Sequence, residues 1–256
     1  IQSQKMESIG KLAGGVAHEI NTPLGVILGY SQLLQEDVPA DSQIRADLQT
    51  IEKQAKVCRK IVADLLGFSR QAESAKIEMC FNNSLMEAIT LVRHALSLEK
   101  VVIATDLDER MPIIYGDPEK LKQVWINLLS NASDALGGRG GTLLVRSRLF
   151  AHEQKVTAWF ADDGPGIGPD NVGRIFDPFF TTKPVGQGTG LGLSVSFGII
   201  KDHGGSIRVE TPAPEGFFDA LDDPGHDRPG TVFVVDLPLD HEETIGGGQP
   251  ARATEA

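Results

Sequence analysis

The sequence predicts an α-helical hairpin of the kind that forms a dimeric four-helix bundle, followed by an α+β sandwich. Two observations lead to this fold class. Apolar residues recur at steps of three and four over residues 1–36 and again over 44–65, as on two amphipathic helices. From residue 76 onward, helical patterns alternate with strand-like runs and glycine clusters, which favours helices segregated from a mixed sheet.

The hairpin is predicted from these two apolar stripes and from residues 38–42, Val-Pro-Ala-Asp-Ser, which break the pattern between them. The second stripe follows a strict heptad. Because two helices alone bury little apolar surface, we expect a homodimer through the hairpin; packing on the chain's own C-terminal domain is the alternative. The stripes comprise Ile9, Ala13, Val16, Ile20, Leu24, Ile27 and Leu34, then Ile44, Leu48, Ile51, Ala55, Cys58, Val62 and Leu65.

The sandwich is predicted over residues 76–239, so the helical domain covers 1–75, with a hinge near 71–76. Residues 117–119, Asp-Pro-Glu, are typical of a helix start with proline in the first turn. We expect a surface excursion at 212–229 and a disordered tail at 240–256. The other expected elements are helices at about 83–98, 117–136 and 191–203, and strands at 101–106, 142–150, 156–161, 206–210 and 231–237.

Composition narrows the class of protein. The 256 residues carry a formal net charge of -11, which argues against a nucleic-acid binder. No apolar run approaches the roughly 20 residues that span a bilayer, so this fragment is not expected to contact a membrane. Two cysteines without metal or disulfide spacing fit a reducing, cytoplasmic compartment. The chain starts at Ile1 in what looks like mid-helix, so an upstream part is expected.

Two glycine clusters predict a phosphate-binding pocket. Residues 162–168 follow a predicted strand, and residues 186–194 precede a predicted helix. Glycines allow close backbone approach, and a helix N-terminus directs N–H groups toward an anion. Either cluster alone is also compatible with a flexible loop.

The predicted helix at 117–136 carries a row of polar side chains. Gln123, Asn127 and Asn131 are four residues apart, so they share one face, and Asp134 follows. Amides in such a row suit a hydrated Mg²⁺ and phosphate oxygens, although a polar solvent face is the alternative.

These segments together resemble a known family. Residues 127–132, 162–168, 176–180 and 188–193 fall in the order of the N, G1, F and G2 boxes of the Bergerat-type ATP-binding domain of histidine kinases, gyrase, mismatch-repair ATPases and heat-shock chaperones. Residues 15–24, Gly-Val-Ala-His-Glu-Ile-Asn-Thr-Pro-Leu, resemble the H box of sensor histidine kinases.

The resemblance implies a role for each matching residue. Asp162 would accept a hydrogen bond from the adenine amino group, and Thr231 would support adenine through water. Asn131 would ligate Mg²⁺, and Lys183, in a mobile lid at 176–188, would reach the phosphates of ATP. The remaining nucleotide-contacting residues would be Asn127, Asp134, Gly164, Gly166, Ile167, Gly188, Thr189, Gly190, Leu191 and Gly192.

The H-box residues acquire their roles from the same resemblance. By spacing alone His18 lies off the apolar stripe, faces solvent and is compatible with an inert surface residue. The family implies that His18 accepts the γ-phosphoryl group, with Glu19 as the proton acceptor. Thr22, on the same helical face, would position water for dephosphorylation of the partner. Pro23 would kink the helix near them.

One position separates a kinase from an ATPase. In the chaperone and gyrase relatives a glutamate one turn before the metal asparagine activates water, and here that position is Asn127, whose amide is no general base. We therefore predict ATP-dependent phosphorylation of His18 and transfer to an aspartate of a response regulator that docks near residues 27–34. An ATP-driven conformational clamp and an inactive binding scaffold are the alternatives.

Overall fold

A computed structural model describes residues 2–69, 76–184, 188–218 and 229–239. In the first two helices, side chains are described for residues 19–59 and for Val62. The predicted tail at 240–256, most of the predicted hinge at 71–76 and the part of the predicted excursion at 219–228 lie outside the described residues.

The predicted helical hairpin is confirmed. Helix α1 spans Gln2–Asp37 with Pro23 inside it, and helix α2 spans Gln43–Ser69. The connection is closed by Ser42, whose Oγ accepts from the backbone N–H of Arg45 at 3.2 Å, as an N-terminal cap does. The Arg45 guanidinium in turn donates to the Val38 carbonyl at 3.1 Å. These bonds on both sides of Pro39 fix the turn.

Within a single hairpin, every second one of the described heptad positions of α2 is buried and the others are exposed. Leu48, Ala55 and Val62, seven residues apart, are buried, and Ser31 of α1 is buried beside them. Glu52 accepts hydrogen bonds from Gln35 at 2.9 Å and Gln32 at 3.0 Å, which joins the two helices through polar groups. The alternate heptad positions of α2, Ile44 and Ile51, remain exposed.

The exposed apolar residues form one face of the hairpin. Ile27 follows Leu24 by three residues on α1, just as Ile51 follows the buried Leu48 by three on α2. Because the helices run antiparallel and the offset is the same, both rows flank the same side of the hairpin. This dimer face, as we call it, consists of Ile20, Ile27, Leu34, Ile44 and Ile51, all of them exposed in the single chain.

The described residues from 76 onward form the predicted α+β sandwich. The elements are β1 (Ile77–Cys80), α3 (Phe81–Leu98), β2 (Val101–Leu107), β3 (Ile113–Gly116), α4 (Pro118–Leu136), β4 (Gly141–Phe150), β5 (Lys155–Asp162), α5 (Pro169–Val172), α6 (Gly192–Asp202), β6 (Ser206–Glu210) and β7 (Thr231–Pro238). Five of these strands form a sheet of the order β2-β4-β5-β7-β6, in which β2 and β4 are parallel and the other neighbours are antiparallel.

Local chemistry explains where α4 begins and where α3 departs from expectation. Asp117 caps α4 by accepting from the N–H groups of Glu119 and Lys120, as its sequence predicts. Helix α3, expected from Asn83, begins two residues earlier at Phe81 because that ring is fully buried, edge-on to Trp125. The two-stranded ribbon of β1 and β3 was not predicted, since strands of four residues carry no readable alternation.

Trp125 lies at the centre of the main core. Its ring stacks on Phe160 of β5 with centroids 5.5 Å apart, and its Nε1 donates to the Ser84 hydroxyl at 3.0 Å. The indole therefore meets both α3 and the sheet without leaving its N–H unpaired. This contact fixes α4, which carries the amide row, against the strand that ends at Asp162.

A second, smaller cluster covers the other face of the sheet. Leu144, Ala161, Val232 and Val234 are buried there beneath residues 213–218, which we call the outer-face flap. The predicted surface excursion therefore packs against the sheet in its described part, through Ala213, Phe217 and Phe218.

No helix among the described residues is both long enough and apolar enough to cross a membrane.

Candidate functional site

The two residues expected to meet the adenine lie side by side on neighbouring strands. Asp162 ends β5, Thr231 begins β7, and the two are paired in register. Both are buried, with 2% and 3% of their surfaces exposed. Antiparallel pairing thus places a carboxyl and a hydroxyl together at one edge of the sheet.

Asp162 is the most perturbed acid of this edge. Burial raises its pKa to about 7, against the opposing hydrogen bond from the backbone N–H of Gly164 to its Oδ1 at 3.0 Å. Asp163, the adjacent acid, adds to the rise. A desolvated carboxylate at neutral pH favours a ligand that donates a hydrogen bond to it.

The first glycine cluster forms a tight loop beside this pair. Gly164 accepts a backbone hydrogen bond from Gly230 at 3.0 Å, which joins the loop to the residue before Thr231. Gly166 has φ +76°, a left-handed conformation that favours glycine. Ile167 is half-buried, and its N–H donates to the Thr211 hydroxyl at 3.0 Å.

The second glycine cluster leads into α6. Gly190 has φ +66°, and a Cβ there would collide with the backbone of Phe179. A Cβ on Gly188 would lie 2.7 Å from the Thr181 hydroxyl. Residues 185–187 lie outside the described part, whereas Leu191 is buried and its N–H donates to the Thr189 hydroxyl at 3.3 Å. Helix α6 then begins at Gly192.

The amide row of α4 reaches this second cluster. Asn127 donates from Nδ2 to the Gly192 carbonyl at 3.3 Å and to the Ser196 hydroxyl at 3.4 Å. Asn127 therefore holds the first turn of α6 against α4.

Lys183 meets the two other polar residues of α4. Its ammonium group forms a salt bridge with Asp134 and lies 3.4 Å from Oδ1 of Asn131. Asn131 is half-buried and Asp134 is exposed. The three residues form a small oxygen-rich site that includes the Lys183 ammonium group. It lies next to Gly188, where an added Cβ would be 3.0 Å from Cδ of Lys183.

The H-box residues lie on a separate element, α1. His18 falls within this helix, and its side chain lies outside the described part of the chain. Glu19 and Thr22 are exposed. The predicted phosphoacceptor therefore lies on the helical hairpin, whereas the pocket residues lie in the α+β sandwich.

Sequence reasoning missed three residues that shape the surroundings of the Asp162–Thr231 pair: Thr211, Gly230 and Phe218. Thr211 follows β6 directly, and its hydroxyl bonds to two loops that are distant in sequence. No spacing pattern signals such a contact, because it exists only once the sheet has formed.

Two family profiles match the chain. Residues 8–74 match "His Kinase A (phospho-acceptor) domain", and residues 116–241 match "Histidine kinase-, DNA gyrase B-, and HSP90-like ATPase". Among solved structures, the catalytic domain of histidine kinase ThkA is 31% identical, with a TM-score of 0.53; the match covers 64% of this chain and 95% of that one. The chain belongs to the histidine kinase family.

Other histidine kinases match over most of the chain. AtoS of Escherichia coli (strain K12) is 36% identical over 93% of this chain and 36% of its own length. ZraS of Salmonella typhi is 34% identical over 84% of this chain and 45% of its own length, so the chain spans less than half of these relatives. ThkA in complex with the response regulator protein TrrA is 25% identical with a TM-score of 0.62, covering 93% of this chain and 64% of that one.

We predict that Asp162→Asn separates nucleotide binding from stability in this histidine kinase. The amide oxygen can keep the bond from Gly164, but the amide NH₂ then opposes the adenine amino group donor to donor. Titration calorimetry should show loss of ATP binding. The parent should likewise bind ATP more weakly as pH falls below about 7, where its carboxyl takes up a proton.

The pKa of Asp162 also predicts how the stability of the Asp162→Asn variant compares with that of the parent. The folded pKa of Asp162 lies above its ordinary value, so the parent loses unfolding free energy as pH rises from about 4 to about 7. Asn does not ionise, so thermal unfolding at pH 8 should occur at a temperature no lower than for the parent. A variant that still binds ATP, or that unfolds earlier at pH 8, would contradict the assignment.

Proposed function

We propose that the chain is the catalytic core of a sensor histidine kinase. ATP bound by residues 76–239 phosphorylates His18 in the helical domain of residues 1–75, and the phosphoryl group passes to an aspartate of a response regulator. The observation that carries the proposal is that three features occur in one chain. They are a buried acid suited to adenine, Asp162; a helix that carries the H box; and an amide, Asn127, at the position of the hydrolytic base.

Adenine recognition rests on the buried pair at the sheet edge. The second oxygen of Asp162 makes no hydrogen bond within the described residues, so it is available to accept from the adenine amino group. Thr231 lies opposite it and supplies a hydroxyl for a bridging water. The N–H groups at the start of α6, with Gly188, Gly190 and Gly192, are suited to the phosphates.

The oxygen-rich site on α4 fits Mg²⁺. Asn131 offers an amide oxygen and Asp134 a carboxylate, while no cluster of three or more His, Cys, Asp or Glu that would hold a metal exists in the described part of the chain. Mg²⁺ commonly takes few protein ligands and completes its shell with water and phosphate oxygens. When bound, it would neutralise phosphate charge, and Lys183 would be free to turn from Asp134 to the phosphates.

The absence of a base at Asn127 supports a kinase over a clamp. The side chain of Asn127 is engaged with Gly192 and Ser196 and cannot take a proton from water. ATP would therefore persist in the pocket until a nucleophile arrives. A neutral imidazole from His18 is competent at pH 7, and Glu19, exposed beside it, is the proposed proton acceptor.

Replacing His18 with Gln tests the phosphoacceptor. Gln keeps a polar side chain on α1 but has no nucleophilic ring nitrogen, so incorporation of label from γ-labelled ATP should disappear. Nucleotide affinity measured by calorimetry should stay at the parent value, since His18 lies outside the pocket. Labelling at the parent level would sink the proposal.

Thr22 is proposed to serve the reverse reaction. It is exposed one turn after His18, where a hydroxyl can orient water toward a phosphorylated aspartate of the regulator. Phosphatase activity toward the regulator is therefore part of the proposed function.

The phosphatase assignment is tested with Thr22→Ala. Loss of the hydroxyl should slow dephosphorylation of a phosphorylated receiver domain by roughly ten- to a hundredfold, since misplacing a reactant has effects of that size. Autophosphorylation of His18 serves as the control and should be kept. An unchanged dephosphorylation rate would remove Thr22 from the mechanism.

A homodimer is proposed because the dimer face leaves large aliphatic side chains in water. Ile51 is 46% exposed and Ile44 61% exposed, although both belong to a heptad. A second hairpin packed on this face would complete a four-helix bundle. The homodimer would also bury the exposed row on α1 represented by Ile27.

The response regulator is assigned to a different side of α1. Val26, Tyr30 and Leu33, at steps of four and three, are 55%, 64% and 59% exposed and point away from α2. This strip lies within and beside the predicted docking region at 27–34, below His18. The ThkA complex with TrrA supports a receiver domain as the partner.

A matched pair of substitutions distinguishes the two faces. Ile51→Asp places a charge in the dimer face and should give a monomer by sedimentation. Val26→Asp places the same charge on the outer strip and should leave the dimer intact while slowing transfer to the receiver domain. A dimeric Ile51→Asp, or a Val26→Asp variant with unimpaired transfer, would contradict the respective assignment.

A further inference from the structure

We infer that Thr211 is a positioning residue for adenine recognition and couples the outer-face flap to the nucleotide pocket. This inference rests on the proposed function, because it presupposes that the pocket binds ATP. Thr211 lies just beyond β6 and is not among the residues predicted to contact the nucleotide. Its effect is exerted through the two segments that flank Asp162 and Thr231.

The Thr211 hydroxyl joins these segments with a complete pair of hydrogen bonds. It accepts from the N–H of Ile167 at 3.0 Å and donates to the carbonyl of Gly230 at 3.1 Å. A hydroxyl has one donor and can accept at the same time, so one side chain meets both needs. Ile167 belongs to the loop after Asp162, and Gly230 immediately precedes Thr231.

The surrounding backbone leaves little freedom at this junction. A Cβ at Gly166 would lie 3.0 Å from the Thr211 hydroxyl and 3.2 Å from Cγ of Pro229. The backbone bond from Gly230 to Gly164 lies alongside it at 3.0 Å. The hydroxyl therefore lies where three chain segments converge. If it is removed, a shift of one loop alone cannot supply new partners for both the Ile167 N–H and the Gly230 carbonyl.

The outer-face flap contacts the same junction from behind. The backbone N–H of its first residue, Ala213, donates to the Pro229 carbonyl at 2.7 Å, which ties the start of the flap to the residue before Gly230. A Cβ at Gly230 would lie 3.2 Å from Cε2 of Phe218. Phe217 instead lies beneath the guanidinium of Arg146, 4.8 Å from the ring centroid. The Phe218 ring thus lies against Gly230, while the Phe217 ring packs edge-on against Phe218 with the centroids 5.8 Å apart. Both rings also pack against the sheet.

Removal of the hydroxyl has a predictable consequence for binding. The N–H of Ile167 and the carbonyl of Gly230 would lose their partner in a half-buried site, and the two segments would separate. The strand pairing would still hold Asp162 opposite Thr231, but the loop after Asp162 would shift relative to Gly230 and loosen the bond from the Gly164 N–H that orients the carboxyl. Affinity for ATP should fall by roughly tenfold, an effect of the size expected when part-buried hydrogen bonds that position the site are lost.

The test compares Thr211→Val with Thr211→Ser in the full chain. Val keeps the shape and removes the hydroxyl, whereas Ser keeps the hydroxyl. Binding of ATP and of ITP, which lacks the amino group, is measured for each variant by calorimetry at a temperature where all are folded. Thr211→Val should bind ATP roughly tenfold more weakly and discriminate less between ATP and ITP, and Thr211→Ser should resemble the parent.

A second pair covers the case in which Thr211→Val does not fold. Phe218→Ala should weaken ATP binding, and Phe217→Ala, a truncation of the same size in the flap, should weaken it less, because Phe217 reaches the junction only through the Phe218 ring. Parental ATP affinity in both Thr211→Val and Phe218→Ala would overturn the inference, even if both melt earlier. A parent chain that binds no ATP would instead overturn the proposed function, so the two failures are distinct.

Discussion

The pairing of β5 with β7 is the constraint on which the rest of the site depends. It places the carboxyl of Asp162 opposite Thr231, in a position so desolvated that burial raises its pKa to about 7. Such a group is unfavourable for folding at neutral pH, and a buried acid perturbed in this way is typical of a functional site. The stacking of Trp125 on Phe160 then fixes the amide row of α4 against the same strand.

A second constraint is chemical rather than geometric. Asn127 is an amide bound to the first turn of α6, so it offers no general base at the position where the sequence resemblance places the glutamate of the ATPases. In the proposed kinase, nucleotide binding and nucleophile are therefore divided between the sandwich and α1. In the same proposal, Lys183 would turn from Asp134 to the phosphates, and charge neutralisation together with positioning is most of what phosphoryl transfer needs.

The sequence predicts those features that depend on local chemistry. The hairpin follows from apolar periodicity, and the start of α4 from the Asp117 cap. The start of α3 could not be read because burial of Phe81 against Trp125, a tertiary contact, extends the helix beyond its local signals. The heptad of α2 likewise does not reveal which half is buried by α1. Thr211 was missed since its two partners meet only across the finished sheet.

One measurement tests the central claim, that the pocket delivers its phosphoryl group to protein rather than to water. The parent chain is incubated with γ-labelled ATP and Mg²⁺, and protein-bound label and free phosphate are followed together. If the pocket delivers to His18, protein-bound label forms first, is lost in acid and survives base, as phosphohistidine does. Steady release of phosphate with no labelled protein would contradict it and would favour an ATP-driven clamp.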